Sequence, residues 1–440
     1  VKIPPHQRWQ LPNGIRLICV PRHDVPLIAV EALVRGGARL DPPGKAGVAS
    51  LAAEMLTRGA GDRDAFAFAE AVEGAGGSLE GGSQSEAILL HGQFLARDRL
   101  LLIELLADAL RRPQFDPGEF EGVRERRIEF IKAAKDSEPQ SLIGSYGRAL
   151  LFSEHPFGRP VGGSEGSLEG ITPADLRHYH EQHMGADRLT LVFAGDFMPA
   201  VLREEVTAAF GDWRPARVPL PPLQVPPRLA GRRVRLIDAP GSSQTYFWIG
   251  NTGVSRRYPH HAALEISNTA FGGSFGSMLM QALRVRSGLT YSAGSSFRRG
   301  SVPAEFAISS FTETASTGRA LAIALDTLDE LKRTGAGNAA IASARSYIQG
   351  QYPLHFETAA DWAAALAELD LYELPEGTIN DFDAALAAVD EAQSRRVIAE
   401  AFPHSSDVDV VMIGDAARIR AEVSGLGALT ERSLAEPEYA

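Results

Sequence analysis

Apolar residues recur along this chain with two periods. Period two marks strands: LPNGIRLICVP places an Asn-Gly turn ahead of an alternating stretch, residues 27–35 read as a second strand, and DRLTLVFAGD as a third. Spacing of three and four marks helices over 46–57 and over RDRLLLIELLADALRR (97–112), which Pro113 stops. FDPGEFEGVRERRIEFIKAAKD predicts a long amphipathic helix opened by Asp-Pro, and TPADLRHYHEQHM a helix with a Thr cap and Pro at its first position. GAGGSLEGGSQSEAILL (74–90) reads as a Gly-rich turn leading into a strand. Further on, Ser277 is placed to cap a helix from Met278 to about Ser287, Gly288 to end it in a left-handed conformation, and LTYSAGSSF to start a strand. The tail from about Leu426 is polar and reads as frayed. Strands separated by helices without strict alternation predict an α+β fold, an antiparallel sheet covered by helices.

The pattern occurs twice. Arg16-Leu17-Ile18 with Pro21 recurs as Arg235-Leu236-Ile237 with Pro240, and Val192-Phe193-Ala194-Gly195-Asp196 as Val411-Met412-Ile413-Gly414-Asp415. Both matches have the same offset (235 − 16 = 219 and 414 − 195 = 219), so the chain reads as two homologous domains. The boundaries predicted are 1–213 and 231–440, joined by a proline-rich linker over 214–230 with PARVPLPPLQVPP at its core.

Composition then narrows the class. The chain has 440 residues, 44% hydrophobic and 22% charged, as in soluble globular proteins. A net charge of −11 argues against nucleic acid or an anionic membrane as partner, and no run of 18 apolar residues exists to span a bilayer. Cys19 is the only cysteine, which excludes an intrachain disulfide and a cysteine-based zinc site. Val1 in place of Met is compatible with a removed leader and sets the expectation of a periplasmic bacterial protein, with the cytoplasm as the alternative.

Two histidines four apart lie on one helical face and can share a zinc ion, with a glutamate between them polarising a bound water. None of the eleven histidines (6, 23, 91, 155, 178, 180, 183, 260, 261, 355 and 404) is four from another, so no helix of that kind exists in the chain. HYHEQH (178–183), spaced two, three and five, reads as a solvated helix face. Yet GVASLAAEMLTRGA closely resembles the zinc helix of pitrilysin/insulinase-type metallopeptidases, where His-x-x-Glu-His runs into Met-Leu. On that pattern the first His is Ser50, the general-base Glu is Ala53 and the second His is Glu54. The family's third ligand, a Glu after about 76 intervening residues, falls on Ile131, with Glu129 nearby. The resemblance therefore implies a peptidase frame with no zinc and no other cofactor in this chain.

TAFGGSFGSMLMQALRVRSGLTYSAGSSF resembles the family's second recognisable block, an Arg and a Tyr seven apart with Gly-Leu between them: Arg284, Gly288-Leu289 and Tyr291. In family members this pair binds the scissile carbonyl and the tetrahedral intermediate at a zinc site carried by another domain, which is an oxyanion clamp. Read without the resemblance, Arg284 is a helix-end cation and Tyr291 a strand aromatic. AFGGSFGSM (270–278) reads either as a flexible substrate-contacting loop, as in the non-catalytic subunit of mitochondrial processing peptidase, or as a turn before a helix. EHPFGRPVGGSEGSLEGIT (154–172) extends the resemblance. It implies a non-catalytic subunit, inactive alone, of a heterodimeric zinc metallopeptidase acting on unfolded peptides. Arg284 and Tyr291 would complete the site of a homologous zinc-bearing partner. A structural core subunit and a stand-alone peptide-binding protein are the alternatives.

Overall fold

The computed structural model describes all 440 residues. Twelve strands form two six-stranded sheets. The first contains β1 (Gln7–Gln10), β2 (Arg16–Pro21), β3 (Leu27–Arg35), β4 (Ser78–Ser83), β5 (Ala87–Leu95) and β6 (Leu189–Gly195), in the order β1-β2-β6-β3-β5-β4. The second contains β7 (Arg233–Asp238), β8 (Gln244–Thr252), β9 (Ala293–Arg299), β10 (Pro303–Glu313), β11 (Asp409–Gly414) and β12 (Ala428–Ser433), in the order β12-β7-β11-β8-β10-β9. Five of the six positions hold matching strands (β2-β6-β3-β5-β4 and β7-β11-β8-β10-β9), so the repeat in the sequence is a repeat in topology. The outer strand differs: β1 precedes β2 and runs antiparallel to it, whereas β12 comes last in the chain and runs parallel to β7.

The fold is α+β as expected, but the sheets are mixed rather than antiparallel throughout. β2 runs parallel to β6, β7 parallel to β11, and β12 parallel to β7. Parallel pairing requires a crossover, and more than 160 residues of helix and hairpin supply it between β2 and β6. One anchor of the repeat also shifts. Pro21 pairs with Gly195 and Asp238 with Gly414, so with the two glycines equivalent the first strands align at 238 − 21 = 217 rather than 219. A slip of two residues keeps every side chain on its own face of the sheet, which is why the pattern tolerates it.

The tail is not frayed: β12 hydrogen-bonds along β7 from Ala428 to Ser433. Its side chains are mostly exposed, so no apolar alternation announces it; main-chain pairing at an open sheet edge is what orders it.

Central strands bury both faces. Ile28, Val30, Ala32 and Val34 of β3 face one core, with Leu51 and Met55 of the Val48–Met55 helix, Leu102 and Leu106 of the Arg99–Arg111 helix, and Phe120 and Val123 of the Pro117–Ser137 helix. Ile18, Leu33 and Val192 face a second core on the opposite side, filled by Trp362, Leu366 and Leu369. Those three belong to the helix Ala359–Leu371, far along the chain. The second sheet receives a helix from the other direction in sequence: Ile143–Phe152 brings Ile143, Tyr146 and Leu150 against Ile237, Trp248 and Val411. At Gly147 a Cβ would lie 2.4 Å from the Trp248 indole, so only glycine lets this helix approach so closely.

The chain accordingly divides into two discontinuous units. One comprises Val1–Ile131, Arg159–Pro222 and Pro353–Asn380; the other Lys132–Gly158, Leu223–Tyr352 and Asp381–Ala440. Each sheet is completed by a helix encoded beyond its own repeat. No helix is long and apolar enough to cross a membrane.

Candidate active-site residues

The Val48–Met55 helix that carries positions 50–54 is fixed from both ends. Its N-terminal amides are held by the buried Asp41 carboxylate, which accepts from Gly47 N and Ala49 N at 2.8 Å each. Burial pushes this carboxyl up to about 7 despite those two bonds. Ala53, at the general-base position, is fully buried and offers no chemistry. Ser50 is buried and Glu54 half-buried, and between them lies a residue the sequence reading passed over.

Arg127, on the Pro117–Ser137 helix, closes the seat. Its Nη1 donates to Ser50 Oγ at 2.7 Å, and its Nη2 donates to Glu54 Oε2 at 2.6 Å and to the Ser50 carbonyl at 3.2 Å. Arg58 adds a second cation 3.7 Å from Glu54. Ile131 lies one turn beyond Arg127 and is buried in the main core, while Glu129 is exposed. These residues do not fit zinc. A zinc site needs three or four nitrogen, sulfur or carboxylate ligands, whereas here one carboxylate is already served by two guanidinium groups. No group of three His, Cys, Asp or Glu elsewhere converges for a metal. A signal for Arg127 existed: it stands four residues before Ile131 on the same helical face, the right offset to reach Glu54.

HYHEQH is only in part the solvated face expected. His178 and Glu181 are exposed, but His180 is half-buried, with Nε2 2.7 Å from the Leu110 carbonyl, and half-buried His183 packs edge-on against Tyr179. Burial lowers both imidazoles, His183 to about 4, so both are neutral packing groups. The spacing hid this because the Pro173–His183 helix turns two of its three histidines inward.

In the second unit, Arg284 and Tyr291 are brought together. Ser277 caps the helical turn starting at Met278, its side chain accepting from Met280 N. The helix does not continue as regular α-helix; it widens into a π-helical turn over Gln281–Val285, with Arg286 N donating to the Gln281 carbonyl five residues back. Such turns recur at functional sites. Gly288 (φ +63°) reverses the chain in the left-handed region, and Tyr291 follows two residues before β9. The Arg284 guanidinium then lies over the Tyr291 ring, 4.4 Å from its centroid, and Nη1 donates to the Tyr291 carbonyl at 3.1 Å. Phe275 provides a second ring, 4.9 Å from Arg284 Cζ. The stretch 270–278 is ordered rather than a loose loop. Its first residues belong to a π-helical segment, Thr269–Gly273, and the rest form a turn before the next helix, where Ser277 N bonds the Ser274 carbonyl at 3.1 Å and Ser274 Oγ bonds the Thr269 carbonyl at 3.2 Å.

Two sheets sharing a five-stranded topology, a helix exchanged into each, and a zinc-helix context with its ligands replaced define a peptidase-type fold without a metal seat. Residues 22–164 match the model of the insulinase family (peptidase family M16), and residues 170–347 that of the peptidase M16 inactive domain. The chain belongs to the M16 peptidase family. An uncharacterized zinc protease of Mycobacterium leprae is 26% identical over 398 residues, covering 89% of this chain and 87% of that one. Among solved structures, a peptidase M16 inactive domain from Pseudomonas fluorescens superposes with a TM-score of 0.86 at 22% identity, over 93% of this chain and 98% of the other. A protease from Helicobacter pylori gives 0.84 at 17% identity, over 94% and 100%.

Proposed function

We propose that this chain is the non-catalytic subunit of a two-chain M16 zinc peptidase, and that Arg284 and Tyr291 complete the active site of a homologous partner. The observation that carries the reading is an asymmetry. The metal seat is closed by Arg127, whereas the Arg284–Tyr291 pair is kept assembled with the Tyr291 ring 72% exposed. A chain that had lost all part in peptide hydrolysis would have no need of such a pair, since an exposed aromatic stabilises the fold little. In the assembly, the partner's His-x-x-Glu-His helix holds zinc. Arg284 and Tyr291 donate to the carbonyl oxygen of an unfolded peptide as it acquires negative charge.

The test is reconstitution with an M16 chain that carries an intact His-x-x-Glu-His, assayed on an unstructured fluorogenic peptide. Alone, this chain cleaves nothing; with the partner, peptidase activity appears. Arg284→Ala and Tyr291→Phe each lower kcat of the mixed enzyme by ~10²–10³ without preventing assembly. Full activity of the Arg284→Ala/Tyr291→Phe double variant would overturn the reading and favour a core subunit or a peptide-binding protein.

A further inference from the structure

We infer that Phe275 is a positioning residue for Arg284: its ring holds the guanidinium ready for an incoming oxygen without using up its charge. The inference rests on the function proposed above and adds a residue to it.

The first support is how Arg284 is partnered. Arginines elsewhere in this chain are commonly met by carboxylates, among them Arg127 by Glu54, Arg233 by Asp409 and Arg420 by Glu431. Arg284 has no carboxylate partner, although the chain carries a net charge of −11. It is restrained by the Tyr291 ring at 4.4 Å, the Phe275 ring at 4.9 Å and one bond to the Tyr291 carbonyl. A guanidinium has five N–H donors in its plane, and only one is committed here. Aromatic faces attract a cation while leaving its donors and its full charge available. An ion pair would have neutralised it.

The second support is where Phe275 stands. It is 64% exposed, so packing does not account for a phenylalanine at this position. The main chain nevertheless fixes it, in the turn that joins the Ser274 carbonyl to Ser277 N immediately before the helix bearing Arg284. An exposed ring on a hydrogen-bonded turn, with an unpaired arginine over it, is a device for orienting that arginine. The chemistry it serves is an oxygen that is neutral in the ground state and anionic in the transition state. A permanently anionic ligand would orient the arginine by itself.

The experiment compares Phe275→Leu, which keeps apolar bulk and loses the ring, with Phe275→Tyr, which keeps the ring. In the isolated chain the readout is the Arg284 Nε–H resonance, identified by its loss in Arg284→Ala. Ring currents displace it in the natural protein and in Phe275→Tyr, and it moves toward the free-arginine position in Phe275→Leu. In the reconstituted enzyme, Phe275→Leu lowers kcat by about tenfold with KM unchanged, and Phe275→Tyr restores it. An identical Arg284 resonance in Phe275→Leu and the natural chain would overturn the inference. So would full kcat for Phe275→Leu in an enzyme that Arg284→Ala cripples. Full activity of Arg284→Ala would instead overturn the function beneath it, a result separable from either of these.

Discussion

Arg35 and Glu305 stand in the same cross-strand row of their two sheets and carry opposite charge. Val30 pairs with Phe193 and Phe247 with Met412, each two residues before the equivalent glycines, so Arg35 corresponds to Thr252. Their neighbours across the next strand, Ala87 and Glu305, correspond in turn. Each charge meets its complement on the exchanged helix. Arg35 Nη2 donates to Asp370 Oδ2 at 2.9 Å, with Thr190 Oγ1 on the same oxygen at 2.6 Å, and Arg148 Nη1 donates to Glu305 Oε1 at 3.3 Å. Each exchanged helix thus carries the charge complementary to the one its sheet presents in this row, acidic Asp370 for Arg35 and basic Arg148 for Glu305.

Reversing one charge should disrupt the first unit. Asp370→Arg places two buried guanidinium groups together and is expected to destabilise by about 3 kcal/mol or more, the usual cost of breaking a mostly buried pair. Arg35→Asp/Asp370→Arg should recover most of that loss. Urea denaturation of the two variants and the natural chain checks the expectation; equal stability of single and double variants contradicts it.

Zinc should not return with the histidines alone. Ser50→His/Glu54→His leaves Arg127 in the seat and Ile131 without a donor atom, so metal analysis after dialysis should find far less than one zinc per chain. Adding Arg127→Ala and Ile131→Glu removes the competing cation and supplies a third ligand. That quadruple variant should bind zinc, and a double variant already holding stoichiometric zinc would refute the account of Arg127.

Stability should fall as pH rises through neutrality. Burial pushes Glu31 of β3 from 4.5 up to about 7, with exposed His91 opposite it on β5. A carboxyl raised in the folded state contributes most below its unfolded value, and that contribution is lost as pH climbs through the folded one. Asp41 adds to the trend with the same sign. Glu31→Gln should be more stable than the natural chain at pH 8, by on the order of 2 kcal/mol, and nearly equal to it at pH 5. Denaturation midpoints at the two pH values decide this.

Truncation after Leu426 should do more than remove a tail. Without β12, the outer edge of β7 is exposed along its whole length. A lower Tm and concentration-dependent association are expected, measured by calorimetry and light scattering.

The sequence made the strands and most helices legible because burial on one face imposes a period, as in 27–35 and 99–111. It also exposed the missing ligands, because the absence of a His pair can be read by counting. What stayed hidden depends on groups far apart in the chain. Arg127 acts on residues 73 and 77 positions away, β12 is ordered by main-chain bonds to β7, and the mixed character of the sheets follows from which strand sits in the centre. The helices Ile143–Phe152 and Ala359–Leu371 read as ordinary apolar segments, since nothing in a local pattern says which sheet a helix will cover.

The helix exchange also sets an order of events during synthesis. The first sheet gains its last strand at Gly195, but the helix that covers its open face ends at Leu371. Until the ribosome has translated about 176 further residues (371 − 195 = 176), Ile18, Leu33 and Val192 have no lid, and the Ile143–Phe152 helix waits for a sheet not yet made. Neither repeat can finish folding on the ribosome before the other is nearly complete. A nascent chain of this protein must therefore carry an uncovered apolar surface through much of its own translation, and this makes it a natural client for chaperones.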